Sequence, residues 1–113
     1  MLKDKAKEEL YNLASPCILC PHNCNADRKN GYTGICKTGY NPIISSADLH
    51  FGEESVLVGK NGSGTIFFTG CNLKCLFCQN YTISHEMIGK KISVERLAEI
   101  MVSLKNKNAE NIN

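Results

Sequence analysis

The chain has 113 residues, 42% of them hydrophobic and 21% charged, with a net charge of +2. That is one small domain or a piece of a larger one, with too little and too scattered a charge for nucleic-acid binding. No stretch approaches the roughly 18 apolar residues of a membrane span. The opening MLKDKAKEEL lacks the apolar core of a secretory signal, so a cytoplasmic location is the expectation. Seven cysteines are many for this length, and their odd number and tight clustering point to metal binding rather than a disulfide scaffold.

Residues 2–14 are predicted helical. Leu2, Ala6, Leu10, Leu13 and Ala14 share one side, and Lys3, Asp4, Lys7, Glu8 and Glu9 cover the rest. Pro16 stops the helix. The first cysteine group follows: Cys17, Cys20 and Cys24, spaced x2 then x3, and Cys36 eleven residues later. Four thiolates close a metal site, so structural Zn²⁺ or an accessory Fe–S cluster is expected there. His22 lies between two of these cysteines and is an alternative ligand or a solvated loop residue. Gly31 and Gly34 supply turns.

Residues 38–57 read as extended. Pro42-Ile43-Ile44 and Ser55–Val58 are short β-prone runs, expected as a small antiparallel hairpin or connecting segments. His50 is assigned an exposed or hydrogen-bonded structural role. The glycines of Gly59–Thr65 do not match the order of a phosphate loop and precede a strand instead of following it, so they read as a turn.

Thr65–Thr69, with Ile66, Phe67 and Phe68 at its centre, is predicted to be a parallel strand buried on both faces. Cys71, Cys75 and Cys78 follow, spaced x3 then x2. A loop after a parallel strand is where such folds place their chemistry. Three thiolates can hold three irons of a [4Fe–4S] cube and leave the fourth open, the mark of a catalytic metal site. No fourth cysteine lies close by; His85 is the alternative fourth ligand. Residues 79–89 read as loop. Ser93 caps a helix to about Lys105, with Val94, Leu97, Ala98, Met101 and Leu104 as its buried stripe.

Two blocks resemble radical S-adenosylmethionine proteins similar to pyruvate formate-lyase activating enzymes. One runs from Cys17 to Cys36 and includes Leu19, Pro21, Arg28, Gly31 and Gly34. The other runs from Gly62 to Asn80 and includes the three cysteines with Phe77 before the last. The resemblance implies an α/β fold: the N-terminal fragment of a partial (β/α) barrel with Thr65–Thr69 as first strand. Residues 1–47 would form the N-terminal helix and cysteine-rich module, and residues 48–113 the start of the barrel. It implies a [4Fe–4S] cluster at Cys71, Cys75 and Cys78, S-adenosylmethionine on the open iron, and Phe77 near the adenine. The activity implied is reductive cleavage of S-adenosylmethionine to a 5′-deoxyadenosyl radical. The implied partners are a one-electron donor such as flavodoxin or ferredoxin and a glycyl radical enzyme as the protein activated.

Family members are usually more than twice as long, and a parallel strand needs neighbours this sequence does not supply. The chain is therefore expected to be an incomplete, inactive N-terminal piece, or to find its missing strands in another chain. The competing classes are a zinc- or iron–sulfur-stabilised binding module and an electron carrier. The ferredoxin spacing Cys-x2-Cys-x2-Cys-x3-Cys-Pro is absent, which counts against the carrier.

Overall fold

The computed structural model describes all of residues 1–113. Its centre is β1 (Ile43–His50), longer than the short run expected from Ile43 and Ile44. Later in the chain come a one-turn helix α2 (Ser55–Val58), β2 (Ser63–Phe68), another single turn α3 (Tyr81–Ser84), the two-residue β3 (Lys90–Lys91) and α4 (Val94–Asn106). An N-terminal helix, α1 (Leu2–Leu13), precedes them. The sheet is antiparallel, in the order β2-β1-β3. A register shift between Ile44 and Ser46 lets both Ile44 and Ala47 meet the core, since a bulge resets the two-residue alternation.

The hairpin thus joins β1 to β2, and Ser55–Val58 is a helical turn within its connection rather than a strand. Val58 is its buried anchor. The division expected at residue 47 runs through β1, which pairs with β2 on both sides of that point.

The strand expected at Thr65–Thr69 is present as β2, and its neighbours differ from expectation. One edge pairs antiparallel with β1. The other edge pairs parallel with the last residues of the chain: Gly64 N–H donates to Asn111 O (2.9 Å), Ile66 N–H to Asn113 O (2.8 Å), and Asn113 N–H to Gly64 O (2.8 Å). The Ile66 side is buried, but Phe67 and Phe68 are exposed, Phe68 by 46%. One helical layer covers the Ile66 face; on the opposite face Ser63 and Thr65 are buried and Phe67 is 36% exposed.

That one layer is α4. Ser93 Oγ accepts from Arg96 N–H (3.1 Å), as a serine cap should. The stripe facing the sheet is Leu97, Ile100 and Leu104, packed on Ile44 and Ile66 with Ala47, Ile92 and Ala109 around them. Leu104 is 2% exposed. Val94, Ala98 and Met101, expected in the stripe, face away. Periodicity could not separate the two apolar sides of this helix. The docked side is the one the short sheet can reach.

The core is thin. The accessible surface is 8119 Å², against about 6,200 Å² for a compact monomer of this mass. The radius of gyration is 15.7 Å, against about 13 Å. Helix α1 buries none of its residues, so its apolar side does not pack as expected; Tyr11 alone meets Tyr40, ring centroids 5.7 Å apart. No helix is long and apolar enough to cross a membrane.

Candidate metal centre

The loop carrying Cys71, Cys75 and Cys78 is pinned at both ends. Thr69 ends β2 by donating to Ile43 O from its N–H (2.9 Å) and its hydroxyl (3.2 Å). Gly70 then turns with φ +85° and donates its N–H to Ile83 O (2.9 Å). A side chain there would be strained, and its Cβ would come 2.8 Å from Cys36 O. At the far end, Asn80 O accepts from the N–H groups of Ile83 and Ser84, starting α3. The loop between is held as one unit by Lys74, whose ammonium donates to Ser84 O (2.8 Å).

Within this frame the three thiols are free and half-buried. Cys71 Sγ accepts from Leu73 N–H (3.4 Å). That bond, chiefly, with the Lys74 N–H and the Lys74 charge, holds the Cys71 thiol below the usual range against the opposing effect of burial. A more acidic thiol is a readier metal ligand, since the thiolate is the binding form. Leu73, Leu76 and Phe77 project from the loop into solvent, Phe77 being 91% exposed. Apolar side chains so placed are free to close over something bound at the thiols.

The upstream cysteines sit on a second irregular loop. Cys17 N–H donates to Ala26 O and Asn25 N–H to Cys17 O, both at 3.0 Å, while Asn23 N–H closes a turn onto Cys20 O (3.0 Å). Asn23 and Asn25 take positive φ, which asparagine tolerates better than most residues. Asp27 anchors the following turn by accepting from the Ser15 hydroxyl and from Asn30 Nδ2, which lowers its pKa. Gly31 closes that turn with φ +89°, as expected. Gly34 is needed for space, because a Cβ there would collide with Cys24.

Arg28 ties the two ends of this loop together. Its guanidinium donates to Gly39 O (2.7 and 3.2 Å) and Thr38 Oγ1 (3.3 Å), and Nη1 lies 3.8 Å from Cys17 Sγ. Cys36 Sγ contacts the same Thr38 hydroxyl at 2.9 Å. The Cys17 thiol is lowered, first by the Leu19 N–H and, against burial, by Arg28. In the sequence Arg28 stood out only as part of the block that carries the resemblance; the contacts it makes were not legible there.

Folding brings Cys71, the first cysteine of the downstream group, to the upstream group. A cavity of about 310 Å³ is lined by Cys17, Cys20, Cys24 and Cys36 together with Cys71 and Arg28. His22 spans the join: its Nε2 must carry the proton, since it faces the Asn72 carbonyl at 2.6 Å. His22 is thus exposed, as a solvated loop residue would be, and also hydrogen-bonded across to the cluster loop. Three or more His, Cys, Asp or Glu side chains do not converge on one ion position anywhere in the chain. A cube separates its cysteines by binding each to a different iron, so Cys71, Cys75 and Cys78 need no such convergence. The donor set and the acidic Cys71 fit an iron–sulfur cluster. His85, the alternative fourth ligand, is engaged at Nδ1 by Ser84 Oγ (2.7 Å) and stacked on Tyr81. His50 faces Phe67 edge-on, and its buried Nδ1 has no hydrogen bond but lies 3.8 Å from Glu53 Oε1, so its structural role is packing more than hydrogen bonding.

Residues 58–113 match the family model of the 4Fe–4S single cluster domain. That match supports an iron–sulfur protein, and the only cysteines inside it are Cys71, Cys75 and Cys78. The chain is also similar to uncharacterized protein MJ0674 of Methanocaldococcus jannaschii, 42% identical over 93 residues, covering 80% of this chain and 25% of the relative. Uncharacterized protein MJ0808 of the same organism is 26% identical over 116 residues, covering 84% of this chain and 33% of the relative. The chain therefore spans a quarter to a third of the length of these relatives. No solved structure matches it.

Proposed function

We propose that this chain is the cluster-bearing start of a radical S-adenosylmethionine enzyme. The observation that carries the reading is a single-cluster domain with three cysteines on one loop at the end of β2. Three thiolates leave one iron of a cube without a cysteine from that domain. When bound there, cluster and S-adenosylmethionine together supply reductive cleavage to a 5′-deoxyadenosyl radical. The chain's own part is to fix the loop through Gly70, Lys74 and α3, to lower the Cys71 thiol, and to offer Phe77 for the adenine. The unit β2, loop, α4 and residues 111–113 is a strand–helix–parallel strand unit, the repeating element of a (β/α) barrel. Met101, Val102, Ala109 and Ile112 line an apolar hollow beside the new strand, where a following unit would pack.

Cys17, Cys20, Cys24 and Cys36 form a second metal site in this reading, which stabilises the loop against the cluster; iron and sulfide fit it better than zinc, because its sulfurs do not converge on one ion position. A flavodoxin or ferredoxin supplies the electron, and a glycyl radical enzyme is the partner activated. A carrier without catalysis is the second reading, favoured by the shared cavity: an upstream cysteine could reach across it as fourth ligand. The test is 5′-deoxyadenosine formation by the full-length protein, reconstituted anaerobically and reduced. Formation that disappears in each of Cys71→Ala, Cys75→Ala and Cys78→Ala, and survives Cys17→Ala, supports the enzyme. A loaded cluster that forms none, or that is lost in Cys17→Ala, supports the carrier.

A further inference from the structure

Behind Cys78 stands a relay that cluster binding by itself does not require. Ser84 Oγ lies 3.2 Å from Cys78 Sγ and 2.7 Å from His85 Nδ1. Ser84 is only 7% exposed, so water has little access to compete for either contact. The His85 ring is held by stacking on Tyr81, centroids 4.4 Å apart and planes 13° from parallel. The Ser84 backbone is held by Lys74 through its carbonyl. Every group around the hydroxyl is therefore fixed, and the open question is which way its one proton points.

We infer that Ser84 donates a hydrogen bond to the Cys78 sulfur and that His85, carrying its proton on Nδ1, sets that direction. The inference rests on the reading of Cys78 as a thiolate ligand. A thiolate has no proton, so this contact exists only if the hydroxyl donates. The hydroxyl oxygen then faces His85 Nδ1 as an acceptor, and that nitrogen must donate. The opposite arrangement, with a bare Nδ1 accepting from Ser84, leaves an anionic sulfur with no donor from this side. Hydrogen bonds to ionised acceptors are roughly twice as strong as neutral ones, so the first arrangement wins. Ser84 is thus a positioning residue that acts on the cluster through a ligand sulfur, with His85 behind it.

Hydrogen bonds to cluster sulfurs are one of the determinants of potential, because they stabilise the more negative, reduced state. A bond of about 1 kcal/mol felt fully by one state and not the other changes the reduced-to-oxidised ratio about fivefold. At 59 mV per tenfold for one electron, that is ~40 mV. The experiment is an EPR-monitored redox titration of the full-length, iron-reconstituted protein and its variants, each with iron and sulfide counted first. Ser84→Ala should keep its iron and shift about 40 mV more negative, and Ser84→Thr, which keeps the hydroxyl, should return toward the wild-type value. His85→Phe keeps the stack on Tyr81, removes the donor, and should shift the same way by less. Equal potentials in loaded Ser84→Ala and wild type would overturn the inference. So would a shift in Ser84→Ala that Ser84→Thr reproduces, since that would mark a packing effect. Should Ser84→Ala fail to load, His85→Phe decides: an unshifted potential overturns the relay. Wild type without iron would instead sink the cluster reading itself.

Discussion

Replacing Leu104 with Ala should be the most damaging single truncation in the apolar core. Leu104 is the largest fully buried side chain and the point where α4 meets Ile44 and Ile66. The change removes three carbons, worth about 2.4 kcal/mol at ~0.8 per buried carbon. The cavity left behind adds to this, and core leucines commonly lose about 2–5 kcal/mol in all. The core cluster is small and can settle partly into the gap, so we place the loss near 3 kcal/mol, inside that range. With a urea dependence of about 1.5–2 kcal/mol/M, the midpoint should fall by roughly 1.5–2 M. Met101→Ala, three residues earlier on the outward side, should cost no more than about 0.5 kcal/mol in the same 113 residues. The assay is urea unfolding followed by circular dichroism, both variants in the same metal state. Equal losses for the two would mean that α4 docks through a different face and that the described core is wrong.

Glu110 accepts from the N–H groups of Lys60 and Asn61 (3.1 and 3.2 Å), tying the end of the helical layer to the turn before β2. Glu110→Gln, which keeps the acceptor and loses the charge, should cost less than Glu110→Ala, itself near 1–2 kcal/mol by thermal unfolding. In metal-free protein, Cys71 should be alkylated faster than Cys75 or Cys78 at neutral pH, and its rate should reach half-maximum below the usual thiol value of about 8.5. The sign follows from its lowered pKa, because the thiolate reacts and persists to lower pH. Mass spectrometry across a pH series checks this, and equal rates at the three would refute it. Gly70→Ala forces a Cβ into a left-handed position against Cys36 O, so it should cost about 1–3 kcal/mol and reduce iron loading; unchanged loading and stability would refute the tight join between the two loops.

The sequence was most informative where a residue type had only one good explanation. The two cysteine groups, the Ser93 cap and the Gly31 turn were legible because each rests on local chemistry. The β2 strand was legible from its apolar run, but its partners were not. Ile43 and Ile44 start β1, yet Ser45, Ser46 and Asp48 carry no strand signal, and pairing with β2 overrides their preference. The parallel pairing of Asn111–Asn113 was invisible for the same reason, since two asparagines flank one isoleucine. Apolar residues surround most of α4, so the pattern marked a helix without marking its buried side. At the site, spacing marked the candidate ligands. It could not give the hydrogen bonds of Arg28 and His22 or the contacts of Ser84 with Cys78 and His85, which are made only after folding.

The most direct test of the central proposal is the EPR spectrum of the reduced, full-length protein before and after S-adenosylmethionine is added. A cluster held by Cys71, Cys75 and Cys78 with an open iron should change its spectrum on addition, in proportion to cofactor bound, and Cys17→Ala should change likewise. A loaded, reducible cluster whose spectrum stays the same at saturating S-adenosylmethionine would contradict an open iron and leave the chain an electron carrier.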